Sequence, residues 1–334
     1  MSQAPPHLIT YQILMFNTFT KSILMAFATL IAVTPPLRAC ACSFDNGFNI
    51  GGPANTPTGP GGLVWTEYSF VSQSKNWSGT NSAPAADNPH KLNRTNWITP
   101  GFQYFFNDSW GMSATLPFGN RLHIHEHHHH GGHEEMGESH MSQRKAVNWW
   151  GLGDMRVNAY YTGFSADMST GLNLGLQLPT GDWQQPGIGR NMQLGTGSVD
   201  ILAGLYHRGR LFGNKDWHWF VTGQLDAPVI TQGGYQPGLS VDASTGIYYT
   251  GLKFGKLHFR PIAQIIFGNQ ATDSGPAADT DNSGYQQLAL SPGLEVNYHP
   301  FRVYANVALP VVSNVVGNQL IAPCTTQVVV SVAF

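Results

Sequence analysis

The stretch CTTQVVVSVAF, residues 324–334, alternates between two kinds of side chain. One parity holds the apolar Val328, Val330, Val332 and Phe334, and the other holds Thr325, Gln327, Ser331 and Ala333. Successive side chains of a β-strand point to opposite faces. The stretch therefore predicts a strand with one fully apolar face, which must lie against another apolar phase.

The same alternation recurs along most of the chain. Period-2 segments of about 10 residues, apolar on one face and polar on the other, are typical of transmembrane β-barrels. A strand with an apolar face that ends on an aromatic residue also resembles the closing strand of bacterial outer-membrane barrels. We predict an all-β, antiparallel transmembrane barrel of about twelve strands, over residues 63–73, 95–106, 109–118, 151–163, 168–180, 197–208, 217–229, 239–250, 256–267, 286–298, 301–312 and 324–334.

The connections between these segments alternate in length. Short turns are predicted at 107–108, 165–166, 212–216, 253–255 and 299–300, and long loops at 74–94, 119–150, 181–196, 230–238, 268–285 and 313–323. Short periplasmic turns opposite long extracellular loops are the rule for such barrels. An even strand number then places both termini in the periplasm. A soluble β-sandwich or propeller would explain neither the loop asymmetry nor the apolar outer faces.

Aromatic residues near the ends of the segments support a membrane-spanning barrel, because aromatic side chains prefer the headgroup region of a membrane. The predicted girdle comprises Trp97, Trp110, Trp149, Trp150, Tyr161, Trp217, Trp219, Tyr249, Tyr298 and Phe301.

Composition excludes several other classes. The 334 residues carry a net charge of −2, and 11% are charged, against about 25% in average soluble domains. Aromatics at 12% argue against a disordered chain. The absence of a positive excess argues against a nucleic-acid partner.

The N-terminal region predicts export. Residues 23–33 form a short apolar core behind Lys21, and Ala39 and Ala41 fit a small-x-small cleavage site. We interpret residues 1–41 as a signal peptide, with an anchor helix or a lipoprotein site at Cys40 or Cys42 as alternatives. Residues 42–62 are rich in Gly and Pro and predict either a flexible leader or a small plug. The barrel would follow over 63–334.

The alternation also assigns charged and imidazole side chains to the barrel interior. The predicted lumen-lining residues are Glu67, Asp154, Arg156, Asp200, Arg208, His218, Asp226, Asp242, His258, Arg260, Glu295 and Arg302. They could pair across the lumen and tie the barrel together, or form a polar ladder that guides a solute. Because both signs are present, the wall does not favour strong ion selectivity.

Two short motifs carry a family resemblance. LQLPTG at 176–181 and GTGSxD at 195–200, with Asn76-Trp77-Ser78-Gly79 and Tyr161-Thr162-Gly163, resemble a family of outer-membrane proteins named after the meta-pathway of phenol degradation. The resemblance implies a β-barrel that passes small, often aromatic or apolar, molecules. It also implies insertion by the barrel-assembly machinery.

A histidine-rich segment at 123–140 is the most unusual feature of the sequence. We expect a loose loop whose imidazoles bind Zn²⁺, Cu²⁺ or Ni²⁺ without catalytic geometry. Its candidate ligands are His123, His125, His127, His128, His129, His130, His133 and His140. No cofactor is required by the sequence, and a variable loop that binds metal adventitiously is the plainer alternative.

Three functions compete at this point. The favoured one is a channel for small solutes in the bacterial outer membrane, with lipids of that membrane as neighbours. A surface metal-binding protein with the barrel as anchor is the alternative. An outer-membrane lipid hydrolase is disfavoured, because outward-facing His207 has no outward serine beside it in the pattern, and we predict no enzyme activity.

Overall fold

The structure is a computed structural model that describes residues 57, 59–127 and 143–334. The predicted signal peptide, most of the leader and histidines 128–140 lie outside the described residues. Within the described part of the chain, no helix is both long and apolar enough to cross a membrane.

In the described residues, seventeen strands form one antiparallel sheet that closes on itself. They are β1 (Gly61–Gln73), β2 (Lys75–Gly79), β3 (Asn81–Ser82), β4 (His90–Phe105), β5 (Trp110–Thr115), β6 (Phe118–His127), β7 (Gln143–Leu152), β8 (Met155–Tyr161), β9 (Thr170–Leu178), β10 (Val199–Arg210), β11 (Trp217–Ile230), β12 (Ser240–Tyr249), β13 (Leu252–Phe254), β14 (Leu257–Gln270), β15 (Tyr285–Tyr298), β16 (Phe301–Ile321) and β17 (Thr325–Ala333). Single 3-10 turns occur at Ala85–Asp87, Arg190–Met192, Leu211–Gly213 and Thr280–Asn282.

Fourteen of these strands make the barrel wall, and they combine into twelve wall strands. Both β5 and β6 pair with β4, so they form one interrupted wall strand. The consecutive β7 and β8 form the next one, pairing with β6 and β5 respectively. Strands β2, β3 and β13 are short additions at the ends of the wall. The predicted twelve-stranded barrel is confirmed.

The closing seam joins β1 to β17. Leu63 pairs with Ala333 and Val71 with Thr325, and the Gly62 amide donates to the Phe334 carbonyl at 2.8 Å. Val328 and Val330 are exposed, whereas Gln327 and Ser331 are buried inside the ring. The alternation of the C-terminal stretch is therefore an outside-inside alternation, as predicted.

The outer face of the wall is apolar on all sides. Its exposed side chains include Val64, Tyr68, Ile98, Phe102, Leu172, Leu174, Leu176, Ile201, Leu205, Ile247, Ile265, Leu290, Leu294 and Val303. An outer face of this kind is costly in water and stable in lipid. It excludes the soluble sandwich or propeller.

Three predicted long loops are wrong in extent. Residues 119–127 and 143–150 are strand rather than loop, the predicted loop 74–94 contains β2 and the start of β4, and β16 continues to Ile321, where it pairs with β2. On the outward face of β6, Asn120 and Glu126 are polar, so this segment shows less apolar-polar contrast than the other wall strands. Arg121, His123 and His125 are nevertheless buried, because this end of the lumen is itself polar.

The wall is interrupted at one place. Pro117 separates β5 from β6, and Gly153 and Asp154 separate β7 from β8. Proline cannot donate to a ladder, and the Gly153 amide donates to the Pro117 carbonyl (2.8 Å). Strand β9 ends at Leu178 opposite Met155. The far edge of β7 consequently has no strand partner among the described residues.

Inward-facing apolar side chains fill the half of the barrel near the short turns. Trp65, Phe220, Tyr248, Ile262, Tyr304 and Val329 form a buried cluster, which we call the floor. The Trp65 ring lies over Gly101 on the neighbouring strand, where a Cβ atom would come within 2.2 Å of it. Glycine at 101 thus makes room for the largest side chain of the floor.

Candidate solute cavity

A cavity of about 360 Å³ occupies the other half of the barrel, toward the long loops. Its lower surface includes Trp65 of the floor, and its walls include Trp97, Leu194 and Tyr235. Ligand pockets usually measure about 300–1,000 Å³. The size and the mixture of aromatic and polar walls fit one small organic molecule.

The predicted lumen-lining residues divide between the two halves. Five of them line the cavity, namely Glu67, Asp154, Arg156, Asp200 and Asp226. Asp242 is buried on the same inward row of the wall. The other six lie nearer the short turns and do not line the cavity, namely Arg208, His218, His258, Arg260, Glu295 and Arg302.

The charges of the predicted residues are separated along the barrel axis. Toward the long loops, four aspartates and Glu67 accompany the single Arg156, whereas near the short turns Arg208, Arg260 and Arg302 accompany the single Glu295. The predicted mixed wall does not include this separation, because a count of inward residues carries no information on their position along the barrel axis.

The group near the short turns is held by ion pairs and stacking. Glu295 is fully buried, and its Oε1 lies 2.9 Å from Arg260 Nη1 and 3.7 Å from Arg302 Nε. The His218 ring stacks on Tyr248 with the centroids 4.9 Å apart. These contacts tie neighbouring strands together beside the floor.

The group beside the cavity forms a chain across neighbouring strands. Arg156 Nη2 donates to Asp226 Oδ2 (2.9 Å), and Arg156 Nε donates to Gln177 Oε1 (2.9 Å). Gln177 Nε2 then donates to Asp200 Oδ2 (2.9 Å). Gln177 is the polar second residue of the LQLPTG motif, and these two hydrogen bonds explain why that position is polar.

The loop over residues 179–198 turns toward the cavity, and Asp154 holds both of its ends. Asp154 Oδ1 accepts from the Gly181 amide (2.9 Å), and Oδ2 accepts from the Thr196 amide and hydroxyl (2.6 Å each). A Cβ atom at Gly181 or Gly195 would come within 2.6 Å of the other residue's backbone. The two family-like motifs therefore meet at this joint.

Arginines missed by the sequence reasoning hold the same loop. Arg121 Nη1 donates to the carbonyls of Met192 and Gln193 (2.9 Å each). Arg190 lies over the ring of Trp183, 4.3 Å from its centroid, and over Tyr235 at 5.0 Å. Burial lowers the pKa of Arg190 from its usual value. The alternation of Arg121 with Leu122 was the available signal for its inward position.

Tyr235 links the neighbouring loop, residues 231–239, to this arrangement. Its hydroxyl donates to Asp273 Oδ2 (2.9 Å), and Asp273 Oδ1 accepts from the Gly238 amide (2.9 Å). Burial and the nearby Asp273 carboxylate raise the pKa of Tyr235 above its usual value. The hydroxyl therefore remains a donor at neutral pH.

Two members of the predicted aromatic girdle lie inside the barrel instead. Trp97 and Trp149 are buried together with Ile188 and Leu194 of the 179–198 loop. Ile188 and Leu194 of the folded-in loop supply apolar partners for both rings. Trp110, Trp150, Tyr298 and Phe301 are exposed outward, as the girdle requires.

The histidine prediction is wrong about the position of its first members. His123 and His125 lie on β6 as buried residues, and His127 ends that strand. His90 Nδ1 lies 3.1 Å from His123 Nε2. Within the described ranges, no group of three or more His, Cys, Asp or Glu side chains could hold a metal ion. His128, His129, His130, His133 and His140 lie outside those ranges.

The outward His207 has a neighbour that the sequence did not indicate. Thr170 Oγ1 lies 2.8 Å from His207 Nδ1, and the Trp219 ring centroid lies 5.0 Å from that of the histidine. The hydrogen bond and the ring contact account for this side chain at the edge of the apolar band.

No protein-family model matches the sequence, and no curated protein matches it. Among solved structures, an outer membrane channel from Pseudomonas putida F1 is similar over 83% of this chain and 96% of its own, with a TM-score of 0.59 and 12% identity. The fold is that of an outer-membrane β-barrel.

Two further structures are more distant. The β domain of the Bordetella autotransporter BrkA covers 82% of this chain and 100% of its own at a TM-score of 0.46 and 11% identity. The Ralstonia pickettii toluene transporter TbuX covers 90% and 98% at a TM-score of 0.42 and 10% identity. Similarity at this level does not bear on the function of this chain.

Proposed function

We propose that this chain is a bacterial outer-membrane channel for small solutes that carry an apolar or aromatic part. Both termini would lie in the periplasm, and the long loops would face the outside. The observation that supports this most directly is a cavity that reaches Trp65 of the floor below and is bordered on one side by Pro117 and Gly153, where the wall is interrupted. The resemblance to the phenol-pathway family points to the same class of solute.

The floor determines the route of the solute. A molecule entering from the long-loop end reaches the cavity beside Trp65 and meets the buried floor cluster. The straight path along the axis is filled there by close-packed side chains, which leave little space for a solute. The remaining exit is through the wall.

The wall is weakest where β7 lacks a strand partner. The loop over 179–198 covers this edge, and the Asp182 amide donates to the Leu152 carbonyl (2.8 Å). Trp97, Trp149, Ile188 and Leu194 line the inner side, whereas Phe118 and Trp150 stack on the outer side. Apolar side chains therefore lie on both sides of this edge, with Trp97 and Leu194 at the cavity and Phe118 and Trp150 outside, and the 179–198 loop between them would have to move for a solute to pass.

Unpaired backbone groups are costly in hydrocarbon. The loop therefore stabilises the closed wall by satisfying part of the β7 edge, and a passing apolar solute would displace it. A water-soluble solute would not use such a route, because its transfer from the cavity into lipid is unfavourable. The route selects for apolar molecules.

A reversible cross-link between loop and wall tests this route. An added Cβ atom at Gly151 would lie 3.1 Å from Asp182 Cβ, near the distance of about 3.8 Å that a disulfide requires. We expect the variant G151C/D182C, with the three natural cysteines changed to Ser, to lose uptake of radiolabelled toluene on oxidation. A reductant should restore the uptake. The assay uses cells of a Gram-negative host without other channels for toluene.

A second cross-link provides the control. V64C/V332C would join β1 to β17 through a pair that lies opposite in the closing seam, far from the β7 edge in strand order. Oxidation of this variant should leave toluene uptake unchanged. Equal uptake by oxidised and reduced G151C/D182C would contradict the lateral route, and absence of uptake by the parent chain would contradict the proposed function.

A further inference from the structure

Arg190 joins the two arms of the 179–198 loop. Its Nη1 donates to the Trp183 carbonyl (2.6 Å), and its Nη2 donates to the Thr196 carbonyl (2.9 Å). Its guanidinium carbon also lies 4.3 Å from the centroid of the Trp183 ring. Arginine suits this position, because its donors form a rigid planar fork that can reach several acceptors and also stack on an aromatic ring.

The same guanidinium joins this loop to the neighbouring loop, residues 231–239. Arg190 Nη2 lies 3.3 Å from the Gln232 carbonyl oxygen, and the guanidinium carbon lies 5.0 Å from the centroid of Tyr235. The Tyr235 hydroxyl in turn donates to Asp273 (2.9 Å). Because a cation within about 6 Å of an aromatic centroid is attracted by the ring, a fixed tyrosine of the second loop holds the arginine of the first.

Two glycines leave room for this arrangement. Gly197 and Gly233 have φ values of +70° and +64°, in the left-handed region that favours glycine. An added Cβ atom at Gly197 would lie 2.9 Å from the Trp183 ring and 3.0 Å from Arg190 Nη2, and one at Gly233 would lie 3.0 Å from the same ring. The backbones of both loops are therefore shaped around the tryptophan and the arginine.

The residues that this arrangement holds are next to those that cover the β7 edge. Trp183 directly follows Asp182, whose amide donates to the Leu152 carbonyl at that edge (2.8 Å). Ile188, two residues before Arg190, belongs to the buried cluster that contains the two inward tryptophans. Fixing positions 183 and 190 therefore also fixes the parts of the loop that contact the wall.

We propose that Arg190 is a positioning residue that holds the 179–198 loop closed over the β7 edge and so sets how often the lateral route opens. This inference rests on the proposed function for its role in transport, whereas its effect on the loop is measurable without any solute. Movement of the loop away from the wall requires the guanidinium to leave the Tyr235 ring and the Gln232 carbonyl. Lysine would replace it poorly, because an ammonium is a point charge and not a planar fork.

Labelling of a buried cysteine tests the effect on the loop. Ile188→Cys, in a full chain whose natural cysteines are changed to Ser, places a thiol where the isoleucine is 9% exposed. In detergent, a water-soluble maleimide reaches this thiol when the loop opens, so the labelling rate reports the open fraction. We expect Arg190→Ala to raise that rate at least about tenfold, because two cation–π contacts and the guanidinium hydrogen bonds are lost together.

Two controls keep the result specific to the loop. Arg94→Ala removes an exposed arginine from the outward face of β4 and should leave the labelling rate of Ile188→Cys unchanged. Val329→Cys places a thiol in the floor, and Arg190→Ala should not change its rate. Equal rates at position 188 with and without Arg190 would overturn the inference. Faster labelling at position 329 as well would also overturn it, because the substitution would then have loosened the whole barrel.

Uptake of radiolabelled toluene by cells separates this inference from the proposed function. Arg190→Ala should take up toluene faster than the parent chain. Faster labelling at position 188 with unchanged uptake, in a chain that does transport toluene, would overturn the role of Arg190 in the route. If the parent takes up no toluene while the labelling rate still rises, the proposed function fails and the hold of Arg190 on the loop is supported.

Discussion

The two halves of the barrel are built differently. Near the short turns, the ladder is regular, the interior is filled by the floor, and the predicted lumen residues there are mainly basic. Toward the long loops, the wall is interrupted at Pro117 and Gly153, a loop folds inward, and a cavity remains. The regular half provides the stability of the ring, and the irregular half provides the space in which a solute can bind.

The ion pairs also differ between the two halves. Glu295 has two arginine partners on adjacent strands, whereas Asp226 has Arg156. One oxygen of Glu295, of Asp200 and of Asp226 lacks a hydrogen-bond partner within the described ranges. The halves therefore differ in the number of arginines around a buried carboxylate and not in the completeness of its hydrogen bonds.

Opening the floor would produce the largest change and would remove the contrast between the halves. In Trp65→Ala, the indole that covers Gly101 and borders the cavity is lost, and a large-to-small change of this kind costs about 3–5 kcal/mol. We expect a continuous axial path and a clear rise in single-channel conductance in planar bilayers.

Val64→Ala is the control for that variant, because Val64 is the adjacent residue on the outer face. Its conductance should equal that of the parent. If Trp65→Ala conducts no better than the parent while remaining a folded barrel, the floor is not what blocks the axis.

A pair of substitutions compares the ion pairs of the two halves. Glu295→Gln leaves Arg260 and Arg302 without their buried counter-charge, and we expect a loss of about 3 kcal/mol in unfolding free energy. Glu126→Gln removes a partly exposed pair with Lys91 (3.4 Å), which is worth about 0–1 kcal/mol. Urea unfolding in lipid vesicles measures both, and equal losses would refute the contrast.

Tyr235→Phe should have a smaller effect than Glu295→Gln. It removes the hydrogen bond to Asp273, worth about 1.5 kcal/mol for a charged acceptor. Because the pKa of Tyr235 is raised in the folded chain, this contribution is fully present below the unfolded tyrosine pKa of about 10. It is lost as the pH rises through the folded pKa.

Vesicle unfolding of parent and Tyr235→Phe at pH 8 and at a pH well above 10 measures this difference. A difference that already disappears between pH 8 and pH 9 would show that the tyrosine hydroxyl is not the donor.

The sequence predicts the regular half well, and the reason is physical. Val328, Val330 and Leu290 face lipid while Gln327 and Ser331 face the interior, so the contrast between the two faces is large at every step. Strand number, turn positions and the inward side of the charged residues all follow from that contrast. The outer-membrane barrel is therefore confirmed down to its strand count.

The alternation pattern does not predict the irregular half. Asn120 and Glu126 are polar on the outward face of β6, opposite the buried Arg121, His123 and His125, so this segment resembles a loop in sequence. Trp97 and Trp149 resemble girdle residues until the 179–198 loop is placed against them. The contacts of these two rings depend on how the loop folds, and the alternation of residues along a single strand does not predict that fold. The predicted metal ligands of the histidine segment and the roles of the lumen residues stay predictions.

The seam between β1 and β17 has a consequence for the timing of folding. The two strands come from opposite ends of the described chain, yet each is the other's hydrogen-bond partner from Leu63 to Val71. Contacts between residues so far apart in sequence form slowly. Before β17 is in place, β1 and β16 are both open sheet edges, which invite pairing with other chains. The chain must therefore be kept from folding prematurely until its last strand has been delivered.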